Sequence, residues 1–442
     1  MTKQRGTPFS SFVIRHSTLE RSDSSFVISA RDRVTTRRSE WIVVDPVNAQ
    51  IDRVLRDVVA LRHDLHAHPE LGFEVERTAD RVAEVLGSLD GFDVRTGVGK
   101  TGVVATLNRK SSGPTVALRA DMDALPIEEK TGCHYASTVP GRMHACGHDG
   151  HTSCLLGAAM VLSRRVGDLS GPVRFIFQPA EETDGGGRYM CEQGALDDPA
   201  ASVVFALHGW PELPVGAVGL RSGPAMAASN PFSVRIHGAG GHAATPHRTI
   251  DPIVTAARII DGLQTVVSRS TRPDDPVVVT VGQLHAGSAA NVIPDEAWME
   301  GTIRTVQAET RERVVGLVRR IIEHTAQAHG ATAEVNIIEG YPALVNDPGL
   351  ADFAVGVARD SFGHENVSTG LAISMGTEDF AYYAQRVPAV MIRLGLRPTD
   401  AKTCPALHTP HFDFNDEALP IGIRLFVALV LQIRTHNAAF QR

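Results

Sequence analysis

The sequence predicts an α/β fold, an open sheet flanked by helices and interrupted by a second, ferredoxin-like unit. Two observations lead there. Three apolar runs, Thr115–Ala120, Val173–Gln178 and Ser202–Leu207, read as buried strands, and each leads into a group of ionisable residues. From about residue 222 the pattern becomes strand, helix, strand, strand, helix, strand, the βαββαβ order, before the chain returns to helix and strand.

The bulk properties set limits. At 442 residues the chain exceeds one ordinary core, and two or three domains are expected. Hydrophobic content of 43% and charged content of 21% are those of a globular protein. A net charge of −7 argues against a nucleic-acid binder. No apolar run reaches the ~18 residues that a membrane span needs. Five cysteines, an odd number, do not read as a disulfide framework. The expected compartment is the reducing cytoplasm, where a thiol stays available for metal.

Residues 1–46 are rich in Arg and Ser and are read as a disordered extension or a mis-assigned start. They lack the apolar core of a secretory signal, and acidic residues weaken a transit-peptide reading. Ile51, Val54, Leu55, Val58, Val59 and Leu65 predict an amphipathic helix over 49–66. Pro69 and Gly72 end it. A second helix is expected over 76–88. Val103–Leu107 and Thr115–Ala120 follow as strands, the latter running into Asp121 and Asp123. Thr152–Arg165 reads as a helix. Val173–Gln178 empties into Glu181-Glu182, and Ser202–Leu207 ends at His208. If these strands are parallel neighbours, all the ionisable groups collect along one sheet edge, where ligands of open α/β sheets bind. The second unit is read as strands at Phe232–His237, Val277–Leu284, Ala297–Thr305 and Ala333–Glu339, with helices at Asp251–Ser268 and Glu309–His329. A helix over 349–361, a strand at Ala389–Leu394 and a helix near Glu417–Arg434 complete the chain.

The densest chemistry lies in Arg142–His151, with three histidines, Cys146, Asp149 and two glycines. His, Cys and carboxylates bind transition metals, and glycine lets neighbouring side chains converge. Cys146, His148, one of Glu181/Glu182, His208 and His408 make five candidate ligands. Five exceed a closed structural zinc site and suit two ions sharing a bridge, a Cys146 thiolate or a water. Adjacent residues of an extended backbone point opposite ways, so one glutamate can bind metal while the other moves a proton. Asp121 and Asp123 read either as ligands or as groups that orient a histidine, and His151 as an orienting partner or a bystander.

The sequence resembles the M20 metallopeptidase family, in the subgroup of amidohydrolases acting on N-acyl amino acids, such as hippurate hydrolase and auxin-conjugate hydrolases. The matching segments run from Leu61–Leu71 through Arg119–Pro126, Met143–His151, Phe177–Glu182, Gly240–Ala244, Asn291–Pro294 and Gly376–Phe380 to Leu407–Pro410. The resemblance implies a zinc-peptidase-like catalytic domain, with a central mixed sheet, over 47–222 and 342–442. It implies a lid or dimerisation domain inserted over 223–341. It assigns Cys146, His148, Glu182, His208 and His408 to two divalent ions (Zn, Mn, Co or Ni), with Cys146 bridging, and Glu181 to general acid/base catalysis. His242 and Asn291 are expected to contact the scissile carbonyl, the histidine from the partner subunit in dimeric relatives, and Arg304 the substrate carboxylate. Thr377 departs from the serine common there. The expected activity is hydrolysis of an N-acyl amino acid to a carboxylic acid and an amino acid by metal-activated water. The expected assembly is a homodimer or higher homo-oligomer through the inserted domain. Two other readings are a dipeptidase or carboxypeptidase of the same family and a non-catalytic carboxylate-binding protein.

Overall fold

The structure is a computed structural model describing residues 46–433. The expectation for residues 1–46 falls, but for Pro46, outside the described residues. Helix α1 (Pro46–Ala67) buries Ile51, Val54, Val58, Leu61 and Leu65, the stripe that its apolar spacing predicts. Next come α2 (Glu76–Gly87), β1 (Phe92–Val98), β2 (Gly102–Leu107), β3 (Thr115–Asp121), α3 (His148–Leu162), β4 (Val173–Gln178), α4 (Gly186–Glu192), β5 (Ala201–Pro214) and β6 (Val218–Gly219). The middle of the chain forms β7 (Gly223–Met226), β8 (Ala228–His237), β9 (Gly241–His242), α5 (Pro252–Ser270), β10 (Val277–Ala286), β11 (Val292–Ile293), β12 (Glu296–Thr305), α6 (Ala308–Ala328) and β13 (Thr332–Ile337). The remainder is β14 (Leu344–Asn346), α7 (Pro348–Phe362), β15 (Val367–Ser368), α8 (Ala381–Ala384), β16 (Ala389–Arg397) and α9 (Leu419–Gln432).

The large sheet is mixed, in the order β1-β2-β4-β3-β5-β16-β6-β15. Its centre, β4-β3-β5-β16, is parallel, and β1 and β2 join antiparallel. Both faces of the centre are covered. Val116, Leu118, Phe175, Phe177, Val203 and Phe205 pack in the core that α1, α3 and α9 share, whereas Ala117, Ile176, Val204 and Ala206 pack with Met190, Phe380 and Tyr383. Burial on both faces is why these strands read as unbroken apolar runs.

The second sheet has the order β10-β12-β8-β13, antiparallel throughout. All its strands lie within residues 228–337, and α5 and α6 pack on the face that carries Val234, Ile236, Met299 and Ile303. Asp251 caps α5 by accepting from the Ile253 and Val254 amides, with Pro252 at the first helical position.

Several expectations need correcting. Helix α3 begins at His148, four residues before the expected Thr152, and is buried along nearly its whole length. Strand β5 does not end at His208. Its pairing with β3 stops at Ala206, but β16 stays beside it to Pro214, so the backbone remains extended. Strand β1 and helix α4 were not anticipated.

Candidate metal centre

The register of the parallel strands assembles the site. Asp121 stands opposite Gln178 across β3 and β4, and Arg119 stands opposite Ala206 across β3 and β5. The C-terminal ends of β3 and β4 and the point where β5 leaves β3 therefore reach one edge, with Glu181 three residues past Gln178 and His208 two past Ala206. The loop before α3 crosses that edge. Gly147 sits at its turn with φ +88°, a left-handed conformation, between Cys146 and His148. Gly150 lies so close to the Phe414 ring that a Cβ would come within 2.4 Å of it. Beyond the second sheet the chain brings in His408, whose amide donates to the Ala145 carbonyl at 2.8 Å. His408 and Ala180, just before Glu181, hold φ of +61° and +54°. Such backbone costs about 1–3 kcal/mol per residue and gathers at functional sites.

The ligand atoms form two sets that share one sulfur. Cys146, His148 and His208 present donors within 4.8 Å of one another, and so do Cys146, Glu182 and His408. Cys146 Sγ lies 3.5 Å from His208 Nε2 and 3.4 Å from His408 Nε2. Glu182 Oε1 is 3.1 Å from His408 Nε2 and 3.9 Å from His148 Nε2. Tetrahedral zinc, with bonds of about 2.0–2.3 Å, has ligand–ligand edges of about 3.3–3.8 Å. The donor set therefore fits divalent ions.

The imidazoles are oriented from behind. His148 Nδ1 bonds the Asp123 carbonyl at 2.7 Å, and His208 Nδ1 the Gly209 carbonyl at 2.8 Å. Each leaves Nε2 toward the cluster, and His148 Nε2 is buried with no hydrogen-bond partner. Burial would lower His148, but Asp121, Asp123 and Glu182 raise it to about 10, a measure of how negative the pocket is. Burial, with His151 alongside, pushes His208 down to about 3. His151 has no nitrogen to spare. Its Nδ1 meets Asp121 Oδ1 at 2.7 Å, and its Nε2 accepts the Gly209 amide at 2.7 Å.

Glu181 and Glu182 lie in a turn rather than in the extended backbone expected, so strand alternation does not separate them. Their amides donate to the two oxygens of Asp123, at 3.0 and 3.1 Å, which holds the turn. Glu181 is 6% exposed. Burial and the charges of Glu378, Glu182 and Asp379 raise its carboxyl well above the usual carboxylate range. The Asp379 amide lies 3.4 Å from Glu181 Oε1, and the Tyr341 hydroxyl donates to the Glu181 carbonyl at 2.6 Å.

His242 and Asn291 are neighbours on the exposed β9–β11 pair, where the Ala243 amide donates to the Asn291 carbonyl. Among the described residues, no hydrogen bond or ion pair joins either to the Cys146 cluster. His242 Nδ1 accepts the Ala244 amide at 3.0 Å, so a neutral ring carries its proton on Nε2. Arg304 on β12 is half-buried, and its Nη1 has no hydrogen-bond partner.

Two arginines were missed. Arg119, fully buried in β3, donates to Asp121 at 2.7 Å and Asp379 at 2.8 Å. Arg62, fully buried in α1, donates to Asp149 at 2.9 Å. The signal for Arg119 was a charge inside an apolar strand. Its acidic partner Asp379 lies in the Gly376–Phe380 segment, to which no role was given.

Comparison with known proteins adds three findings. The profile described as Peptidase family M20/M25/M40 matches residues 117–432. The chain is 41% identical to an N-acetylcysteine deacetylase of Bacillus subtilis over 85% of its own length and 96% of the relative's, and 37% identical to thermostable carboxypeptidase 1 of Saccharolobus solfataricus over 83% and 92%. A crystal structure from Bacillus subtilis, described as a dinuclear metal-binding peptidase from the M20 family, superposes with a TM-score of 0.74 at 37% identity, covering 86% of this chain and 99% of that one.

Proposed function

The chain belongs to peptidase family M20/M25/M40, and from that premise we propose that it hydrolyses the amide bond of N-acyl amino acids. The observation that carries this reading is the pair of donor sets sharing Cys146, beside the buried Glu181, which belongs to neither set. One ion would be held by Cys146, His148 and His208, the other by Cys146, Glu182 and His408. Zn, Mn, Co and Ni all suit this donor set. When bound, the ions act as Lewis acids toward the amide carbonyl and make water a nucleophile near neutral pH.

The remaining work falls to the chain. Glu181 accepts a proton from water as its oxygen attacks the amide carbon, and returns it to the leaving amine. Burial and its acidic neighbours raise its carboxyl, which favours uptake of that proton. His242, its Nε2–H free, and Asn291 donate to the developing oxyanion, an effect of a few kcal/mol per donor. Since neither bonds the cluster among the described residues, we assign them to the site of a second subunit, in a homodimer formed through residues 223–341. Arg304, with its unpartnered Nη1, meets the substrate carboxylate. All five cysteines are free, which suits a reducing cytoplasm.

The names of the two relatives point to one chemical class. A deacetylase of an N-acetyl amino acid and a carboxypeptidase both cleave an amide whose nitrogen belongs to an amino acid with a free carboxylate. They differ in the acyl group. A panel of N-acetyl, N-benzoyl and indole-acetyl amino acids, peptides and carboxylate-blocked amides tests the proposal. Chelator-sensitive turnover of the N-acyl amino acids, lost with the blocked carboxylate and in Glu181→Gln, is expected. Full turnover by Glu181→Gln or by metal-free protein would overturn it.

A further inference from the structure

Outside the Cys146 cluster, a second group of soft and hard donors converges where α1 ends. His66 Nε2 lies 3.3 Å from Glu129 Oε1, and Cys133 Sγ lies 3.8 Å from the same oxygen. All three donor atoms fall within 4.8 Å of one another. None belongs to the centre described above. We propose that His66, Glu129 and Cys133 form a separate binding site for a thiophilic divalent cation such as zinc.

The surroundings are built for one. Asp149 Oδ2 stands 2.8 Å from His66 Nδ1, so the ring keeps a proton there and turns Nε2 toward Glu129 and Cys133. A carboxylate behind a histidine is the usual support for a metal-binding imidazole. Glu129 is anchored through Oε2 by the Ser137 amide at 2.6 Å, and its Oε1, which faces His66 and Cys133, also accepts from the Thr131 hydroxyl. The two contacts to Glu129 Oε1, at 3.3 and 3.8 Å, match the edges of tetrahedral zinc, about 3.3–3.8 Å. Gly132, at φ +73°, lets the chain turn back so that Cys133 faces Glu129. The His66 side chain is wholly buried and that of Glu129 is 5% exposed, whereas Cys133 is partly exposed and gives a way in. Binding releases the Nε2 proton of His66 and the thiol proton of Cys133, and the fourth position is left to water.

Asp149 links the site to the other centre: it follows His148 directly, and it bonds both His66 and Arg62.

The test counts metal on the full chain equilibrated with excess zinc(II), then freed of unbound ion. Wild type is expected to retain one equivalent more than Cys133→Ala and Glu129→Gln, each shown folded by circular dichroism. Equal counts in all three would overturn the proposal. The difference does not depend on the Cys146 centre. If that centre fails to bind, every count falls together and the one-equivalent gap remains. A measurement on wild type alone guards against misfolded variants: zinc(II) should protect Cys133 from alkylation, read by mass spectrometry of its peptide. Unchanged labelling would also overturn it.

Discussion

Arg62 Nε donates to Asp149 Oδ2 at 2.9 Å, and neither side chain is exposed. The same guanidinium reaches Asp416 at 2.9 Å, Tyr135 at 3.1 Å, and Asp413. It thus ties the first turn of α3, which carries His148, to the segment that follows His408. Two halves of the centre far apart in sequence are held by one buried cation. Removing it breaks the buried ion pair and leaves Asp149 with His66 alone, which costs about 3–5 kcal/mol. Arg62→Met should lower unfolding stability in urea by about that much. Arg235→Ala, which breaks an ion pair with both side chains about half exposed, should cost less than about 1 kcal/mol. Equal losses would show that the Arg62 network carries no structural weight.

The His66–Glu129 pair sets a pH dependence in cation-free protein. Burial alone would lower His66, but the Asp149 charge and the bonds to Asp149 and Glu129 raise it from 6.5 to about 9. A raised folded-state value stabilises fully below pH 6.5 and is lost as pH rises through 9. Burial would raise Glu129, but His66 and Thr131 lower it from 4.5 to about 2, so its contribution is present above pH 4.5 and lost as pH falls through 2. The stability difference between wild type and His66→Gln in chelator should be largest between pH 4.5 and 6.5 and shrink toward pH 9. A difference that stays constant up to pH 9 would refute this account of the pair.

Tyr341 bears on the turn that carries the proposed proton carrier. Its hydroxyl donates to the Glu181 carbonyl at 2.6 Å. One neutral hydrogen bond contributes about 1 kcal/mol. Tyr341→Phe should therefore slow turnover by roughly fivefold to tenfold, with metal content and KM little changed. Wild-type kcat in this variant would mean that the Glu181 turn holds its geometry without Tyr341.

How much of this was legible follows from where each signal lies. The central strands could be read because both their faces are buried, and the second sheet with α5 and α6 because these elements keep clean periods. Strand β1 could not, since Asp93, Arg95 and Thr96 lie on a half-exposed edge strand. The length of β5 depends on β16, which lies more than 170 residues later in the chain. Helix α3 hid its start because His148–His151 looks like chemistry rather than helix, and its burial on all sides erases any polar stripe. Cys146 and His148 were legible from the density of ligand types in Arg142–His151, and Glu182 and His208 from the apolar runs they follow. The partners of Arg62 and Arg119 were not, because they come from distant segments that only the fold joins.

The central claim is that Cys146 is common to two ion sites, with His208 belonging to one and His408 to the other. Metal content per chain, measured in a Cys133→Ala background so that the count reports this centre alone, tests it most directly. Two ions are expected in the parent, one in His208→Ala, one in His408→Ala, and weakened binding of both in Cys146→Ala. Two tightly held ions in Cys146→Ala, or a single ion in the parent lost equally in both histidine variants, would contradict it.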